Sequence, residues 1–342
     1  DSSLTPDVRY IIAESQLMGG DYAAASTSYG ELLKDPATAK NMQRPLWVLR
    51  AGMATFSAGK NDEAIKLVND NLTAFTEPPR LAEAKYLVGA SHLAAKRPKE
   101  AVAALRESLK ADPNWKKADE VALLLGQANL ASNDEAEAKK TWTELATKFA
   151  SSPRGVQARF RLAQLAARSG AHDEAAKEYQ TVASSGVDPS LVPLSLYGLG
   201  WNLLQAGKPQ DALEPLNRVT REFATHPISA QTKLALGISL RTLGKTDESV
   251  AQLQDVLKQV PEGINRGHAL YELALIDQQL KRPAEAAKRL EDLVASVPDY
   301  PSMDKVLYEW SWSLKESEQN DKAEQTFTRL IEKFPKNPLA AE

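Results

Sequence analysis

Apolar residues in this chain recur three and four positions apart rather than in alternation, a spacing that predicts helices and not strands. One segment carries Leu196, Leu199, Gly200 and Leu203; after a short break the next carries Ala212, Leu216 and Val219. The pair then repeats. A small residue marks the second helix at Ala64, Ala101, Ala138, Ala175, Ala212, Ser249, Ala286 and Ala323, every step being 37 residues. Twelve residues before each stands another small residue: Gly52, Gly89, Gly126, Ala163, Gly200, Gly237, Ala274 and Ser311. Four residues after each stands a bulky apolar one: Val68, Leu105, Trp142, Tyr179, Leu216, Leu253, Leu290 and Phe327. An earlier copy, with Ala13, Ala25 and Tyr29, is offset by two residues that fall between Lys34 and Arg44. A fixed period of this length is the mark of a repeat array.

The punctuation agrees with two helices per copy. Gly20, Gly59, Asn133, Gly170, Gly207 and Gly244 follow the first helix, where a left-handed C-cap is needed. Pro98, Pro209 and Pro283 share one position in the first turn of the second helix. Acids follow at Glu63, Glu100, Glu137, Glu174, Asp211, Glu248 and Glu285, beside the positive end of the helix dipole. Pro113, Pro261, Pro298 and Pro335 close the second helix in several copies. The two small columns are expected to let the paired helices cross closely. Pro215 falls inside a second helix and predicts a kink, either a local change of curvature or one of no consequence. The copies span approximately 5–40, 44–78, 81–114, 118–152, 155–188, 192–226, 229–262, 266–299 and 303–336, with a tenth starting at 338, as one domain over 1–342.

The pattern L-x-x-L-G-x-x-L followed by A-x-x-x-L and a closing proline resembles the tetratricopeptide repeat. It is clearest from Leu196 to Val219 and from Leu307 to Pro335. The resemblance covers the whole chain, although the period of 37 departs from the family's usual 34. It implies an all-α superhelical solenoid, its first helices lining a concave face and nine repeats making roughly one superhelical turn. The phrases Lys148-Phe149…Ser152-Pro153…Ala158 and Glu332-Lys333-Phe334-Pro335-Lys336-Asn337-Pro338 look like bacterial cell-envelope members. Those members include the lipoprotein of the outer-membrane β-barrel assembly machine and the periplasmic partner of the Tol-Pal system. The resemblance implies a periplasmic or other envelope location, with the cytoplasm as the alternative.

Composition narrows the chemistry. The chain has 342 residues, a net charge of −3 and no cysteine, which removes disulfides, thiolate metal sites and cysteine nucleophiles. A pI near 6.0 argues against a nucleic-acid footprint. No run of residues is apolar enough for a transmembrane segment. Asp1 to Leu4 is polar and short and does not read as a signal peptide, though a targeting segment is one thing a missing part could hold; Thr5-Pro6-Asp7 reads as a helix start, and Asn337-Pro338 as another where the chain stops. The chain is therefore expected to be a fragment of a longer protein. Its histidines, His92, His172, His226 and His268, do not pair at metal spacing. His172-Asp173-Glu174 is read as a helix-start acid pair beside a solvated histidine. Arg159, Arg161 and Arg168 are read as a solvated helix face. No phosphate loop or nucleophile elbow is present. No catalytic residue, cofactor or metal is expected.

One face says more. Three residues before the small residue of each first helix come Tyr10, Leu49, Tyr86, Leu123, Phe160, Tyr197, Leu234, Tyr271 and Tyr308. One residue after it come Glu14, Met53, Ala90, Gln127, Gln164, Trp201, Ile238, Leu275 and Trp312. These 18 positions hold 8 of the 22 aromatic residues, an enrichment that needs a reason. The functional reading is a groove for a peptide or protein partner, built on Tyr86, Phe160, Tyr197, Trp201, Tyr271, Tyr308 and Trp312 with Arg241 one turn on. The structural reading is packing between adjacent first helices. Some tetratricopeptide domains clamp a partner's terminal carboxylate with Lys and Asn; aromatic and aliphatic residues stand at those places here, so that mode is not carried over. The leading expectation is a non-enzymatic binding scaffold. The alternatives are an assembly spacer that self-associates end to end, and a regulatory arm of an enzyme whose catalytic domain lies elsewhere.

Overall fold

The computed structural model describes residues 5–341, so Asp1–Leu4 and Glu342 lie outside it. Every regular element among the described residues is helical. The first helices of successive repeats are α1 (Pro6–Met18), α3 (Arg44–Ser57), α5 (Pro78–Ala94), α7 (Ala118–Ala131), α9 (Pro153–Arg168), α11 (Val192–Gln205), α13 (Ser229–Thr242), α15 (Ile264–Gln279) and α17 (Met303–Glu316). The second helices are α2 (Tyr22–Lys34), α4 (Asn61–Asn69), α6 (Pro98–Ala111), α8 (Glu135–Lys148), α10 (His172–Ser184), α12 (Pro209–Glu222), α14 (Thr246–Gln259), α16 (Pro283–Ser296) and α18 (Asn320–Lys333). A short α19 (Pro338–Ala341) follows. The chain forms two compact units, the first running to Leu162 and the second from Ala163. The offset in the first copy coincides with a 3₁₀ turn at Pro36–Thr38, where buried Thr38 donates its hydroxyl to Leu32 O at 3.0 Å.

Three residues separate the two helices of every repeat, and the middle one has positive φ throughout. Glycine fills it at Gly20, Gly59, Gly170, Gly207 and Gly244, and Asn133 in one copy. Lys96, Lys281 and Glu318 hold the same position at φ of 59°, 57° and 64°, a left-handed conformation the sequence pattern did not predict there. What holds them is the paired hydrogen bond of a Schellman cap. Lys281 N donates to Gln278 O at 2.9 Å and Arg282 N to Asp277 O at 2.8 Å, as Gly207 N does to Leu204 O at 3.0 Å and Lys208 N to Leu203 O at 2.9 Å. The cap geometry belongs to the repeat, and a side chain that dislikes it is carried along.

The small columns do what their size suggests. A Cβ on Gly89 would stand 2.6 Å from Leu105 Cγ, on Gly200 2.5 Å from Leu216 Cγ, and on Gly237 2.8 Å from Leu253 Cγ. On Gly126 it would lie within the Trp142 indole, whose Nε1 donates to Leu123 O at 3.2 Å. Ala64, Ala101, Ala138, Ala175, Ala212 and Ala286 are fully buried. Ser249, where most copies carry alanine, hands its hydroxyl to Gly237 O at 2.7 Å, so the crossing stays satisfied. α12 runs unbroken through Pro215, which is itself buried.

Each unit is a stack. In the first unit, α2 packs on α3, α4 on α5 and α6 on α7; in the second, α12 packs on α13, α14 on α15 and α16 on α17. Each first helix meets the preceding second helix through residues five before, one before and two after its small residue. In α3 these are Trp47, Ala51 and Ala54, in α7 Val121, Leu125 and Ala128, and in α15 Ala269, Leu273 and Ile276, all buried. In α1 the corresponding Val8 and Ile12 are exposed, together with Ile11 and Met18.

Two outcomes are expected from urea denaturation. Gly126→Ala destabilises the chain by about 1–3 kcal/mol through overpacking against Trp142, and by clearly less in a Trp142→Ala background. Lys281→Gly stabilises it by about 1 kcal/mol, because the strain of a left-handed lysine is removed.

Candidate functional site

All eight residues of the sequence-derived stripe lie on first helices, and none is exposed. Tyr86 is buried, while Phe160, Tyr197, Trp201, Arg241, Tyr271, Tyr308 and Trp312 are half-buried.

In the first unit, α5 carries Tyr86 and α7 supplies its partner. The Tyr86 hydroxyl donates to Glu120 Oε1, and the ring lies 5.6 Å from that of Trp115. Lys117 Nζ stands 5.5 Å from the ring centroid and 3.7 Å from Glu120. Burial, followed by the hydrogen bond and charge of Glu120, pushes the phenol well above its ordinary value, so Tyr86 remains a neutral donor. Beside it opens a cleft of about 490 Å³. Phe56, Tyr86, Leu93, Leu124, Arg154 and Gln157 are among the residues lining it, and every lining residue belongs to α3, α5, α7 or α9. No second helix contributes a side chain.

The second unit holds the aromatic-rich stretch but arranges it differently. Tyr197 and Trp201 pack on a cluster containing Leu216, Leu236 and Leu240. Tyr271 and Tyr308 pack on one containing Leu290, Val306 and Leu307. The Trp312 ring lies 6.3 Å from that of Tyr308 and edge-on to Phe327 at 5.7 Å, with Lys315 Nζ 4.7 Å from its centroid. Arg241 is ion-paired, its Nε donating to Glu272 Oε2 at 2.6 Å. Gln278 Nε2 donates to Glu309 Oε2 at 2.9 Å and to Ser313 Oγ at 3.0 Å. Burial, with Glu309 and Glu272 nearby, pushes the Tyr271 phenol up to about 12.

The difference between the units follows from one column. The residue four after the small residue is Phe56, Leu93 and Leu130 in the first unit but Arg241, Gln278 and Lys315 late in the second. Arg241 and Gln278 bridge to Glu272 and Glu309, two before the small residue of the next first helix. Phe56 and Leu93 have apolar Leu87 and Leu124 in those places, and Phe56, Leu93 and Leu124 line a cleft where the second unit has a polar ladder. The stripe columns alone did not reveal this; the neighbouring column carries the signal. One other expectation is corrected. His172 opens α10 half-buried, and its Nδ1 lies 2.9 Å from Asn202 Oδ1. Buried Asn202 gives its amide to Gly198 O at 2.8 Å, so its oxygen faces the imidazole and His172 donates. It is a link between repeats, not a solvated side chain.

Sequence models of the repeat match nearly throughout. One, described as a tetratricopeptide repeat-like domain, matches residues 115–226. Tetratricopeptide repeat models match 49–114 and 197–264, and 268–300 and 305–337. The chain belongs to the tetratricopeptide-repeat family. No curated protein matches its sequence significantly. Solved structures of the same fold include PilW, described as a widely conserved type IV pilus biogenesis factor, at 15% identity and a TM-score of 0.55 over 66% of this chain and 98% of that one. The C-terminal part of a tetratricopeptide-repeat protein from Cytophaga hutchinsonii is similar at 12% identity and a TM-score of 0.59, over 76% and 99%. PilF of Pseudomonas aeruginosa is similar at 15% identity and a TM-score of 0.50, over 69% and 97%. At these identities the likeness is one of fold. Among the described residues no helix is long and apolar enough to cross a membrane.

Burial separates the two parts of the stripe experimentally. Tyr86→Ala is expected to cost about 3 kcal/mol or more in urea denaturation, as a buried aromatic truncation does. Trp312→Ala, half-buried at its edge contact, is expected to cost about half as much and to leave the circular dichroism spectrum unchanged.

Proposed function

We propose that this chain is a non-enzymatic scaffold that holds a peptide or protein partner along the face of its first helices. The observation that carries the reading is the cleft lined by α3, α5, α7 and α9 alone. Tetratricopeptide arrays present a continuous first-helix surface for binding, and an apolar cleft with a few polar groups is the usual form of a binding site. The half-buried aromatic residues of the second unit, from Tyr197 to Trp312, offer amphipathic anchors of the kind interfaces favour. The working compartment in this reading is the bacterial cell envelope, supported by the resemblance of the Lys-Phe and Lys-Phe-Pro loops at Lys148 and Lys333 to envelope members of the family.

The test is capture of a partner from separate envelope and cytoplasmic fractions of the native cells. The chain is compared with Gln127→Trp, which fills the first-unit cleft, and with a Trp201→Ala, Tyr271→Ala, Trp312→Ala triple variant, all checked for folding by circular dichroism. A partner taken from the envelope fraction and lost by either folded variant is the expected result. Equal capture by all three chains moves recognition off the first helices and ends this reading. A partner present only in the cytoplasmic fraction ends its envelope part.

A further inference from the structure

The cleft on α3, α5, α7 and α9 has a charge of its own. Its apolar lining includes Phe56, Leu93 and Leu124. Two carboxamides and one guanidinium, on Gln127, Gln157 and Arg154, share the lining with one carboxylate, Glu120. That carboxylate is already engaged, accepting from the Tyr86 hydroxyl and lying 3.7 Å from Lys117. Arg154 is not neutralised. Its Nη1 donates to Gln157 Oε1 at 2.9 Å, and no carboxylate among the described residues pairs with it. A guanidinium offers five donors, so most of this one is left for a ligand. Glu120 and Arg154 are the charged residues that line the cleft, and with Glu120 held by the Tyr86 hydroxyl and Lys117, Arg154 is the charge the cleft presents. The second unit is the contrary case, where Glu272 neutralises Arg241 and Glu309 also stands near Tyr271.

Resting on the peptide-binding reading, we propose that this cleft selects a linear peptide in which a bulky apolar side chain stands beside an aspartate or glutamate side chain. The apolar group enters among Phe56, Leu93 and Leu124, and the carboxylate meets the Arg154 guanidinium. Both halves are needed. The floor supplies burial without direction, and the charge-assisted hydrogen bond at its edge supplies register. The volume of about 490 Å³ lies within the range of ligand pockets, roughly 300–1,000 Å³.

The experiment is selection of phage-displayed random heptapeptides on the whole chain. These are fused at their C-terminus and so carry no free terminal carboxylate. Enriched sequences are then made as C-terminal amides and free acids, and their affinities are read by fluorescence anisotropy. The expected result is an acid within two residues of Leu, Ile, Met or Phe. Amide and acid should bind equally, and binding should be lost in Gln127→Trp. Arg154→Glu should weaken it about tenfold or more, and should recover binding when the peptide's acid is replaced by lysine. Peptides that Gln127→Trp abolishes but that carry no acid and ignore Arg154→Glu overturn the proposal and leave the scaffold reading standing. So does binding only by the free acids, or binding lost only in the Trp201→Ala, Tyr271→Ala, Trp312→Ala variant. No enrichment at all overturns the proposal, and the scaffold reading is then decided by the capture experiment alone.

Discussion

The crossing of two helices within each repeat is the contact on which the rest depends. Its requirement is steric and one-sided: a residue with little or no side chain under a residue with a large one. Gly126 under Trp142 and Gly200 under Leu216 are two forms of it, and each would clash if the glycine gained a single carbon. Once the crossing is set, the second helix has one direction in which to leave, and its far side becomes the seat for the next first helix. Trp47, Val121 and Ala269 fill one position of that seat in three repeats with different side chains. Core volume between repeats is exchangeable, whereas closeness at the crossing is not.

The turn between the helices is fixed in the same way. Nine copies adopt one left-handed cap, though three of them place lysine or glutamate there. The paired hydrogen bonds and the packed helices on either side outweigh the local preference of Lys96, Lys281 and Glu318. Local propensity is a weak prior where tertiary structure has already chosen the backbone.

This explains what was legible in the sequence. Pairing of helices, their order, the glycine caps and the all-α stack follow from columns in which one residue type is required at a fixed period. Lys96, Lys281 and Glu318 escaped notice because the constraint there acts on the backbone and leaves the residue type free. His172 escaped for a related reason: its partner Asn202 belongs to the following repeat, and nothing in the local sequence points to it. The stripe of Tyr86, Phe160, Tyr197, Trp201, Tyr271, Tyr308 and Trp312 was legible as a column. Its environment was not, since a half-buried aromatic leaves the same trace whether it flanks an apolar cleft or a polar ladder.

That environment is decided by contacts between successive first helices, which the crossing does not constrain. Stability resides in the crossings and in the seats between repeats, so the columns between first helices can drift without unfolding the stack. Phe56 and Leu93 with Leu87 and Leu124 are one outcome; Arg241 and Gln278 with Glu272 and Glu309 are another. The two cost the fold differently. A polar ladder must satisfy each of its buried groups, and here Arg241 and Gln278 find acceptors across the gap. An apolar pair has no such obligation, and it leaves surface that gains free energy only when something covers it. A repeat array can therefore carry an apolar cleft and a polar ladder on the same scaffold, and the choice rests on a column three residues away from the aromatic one.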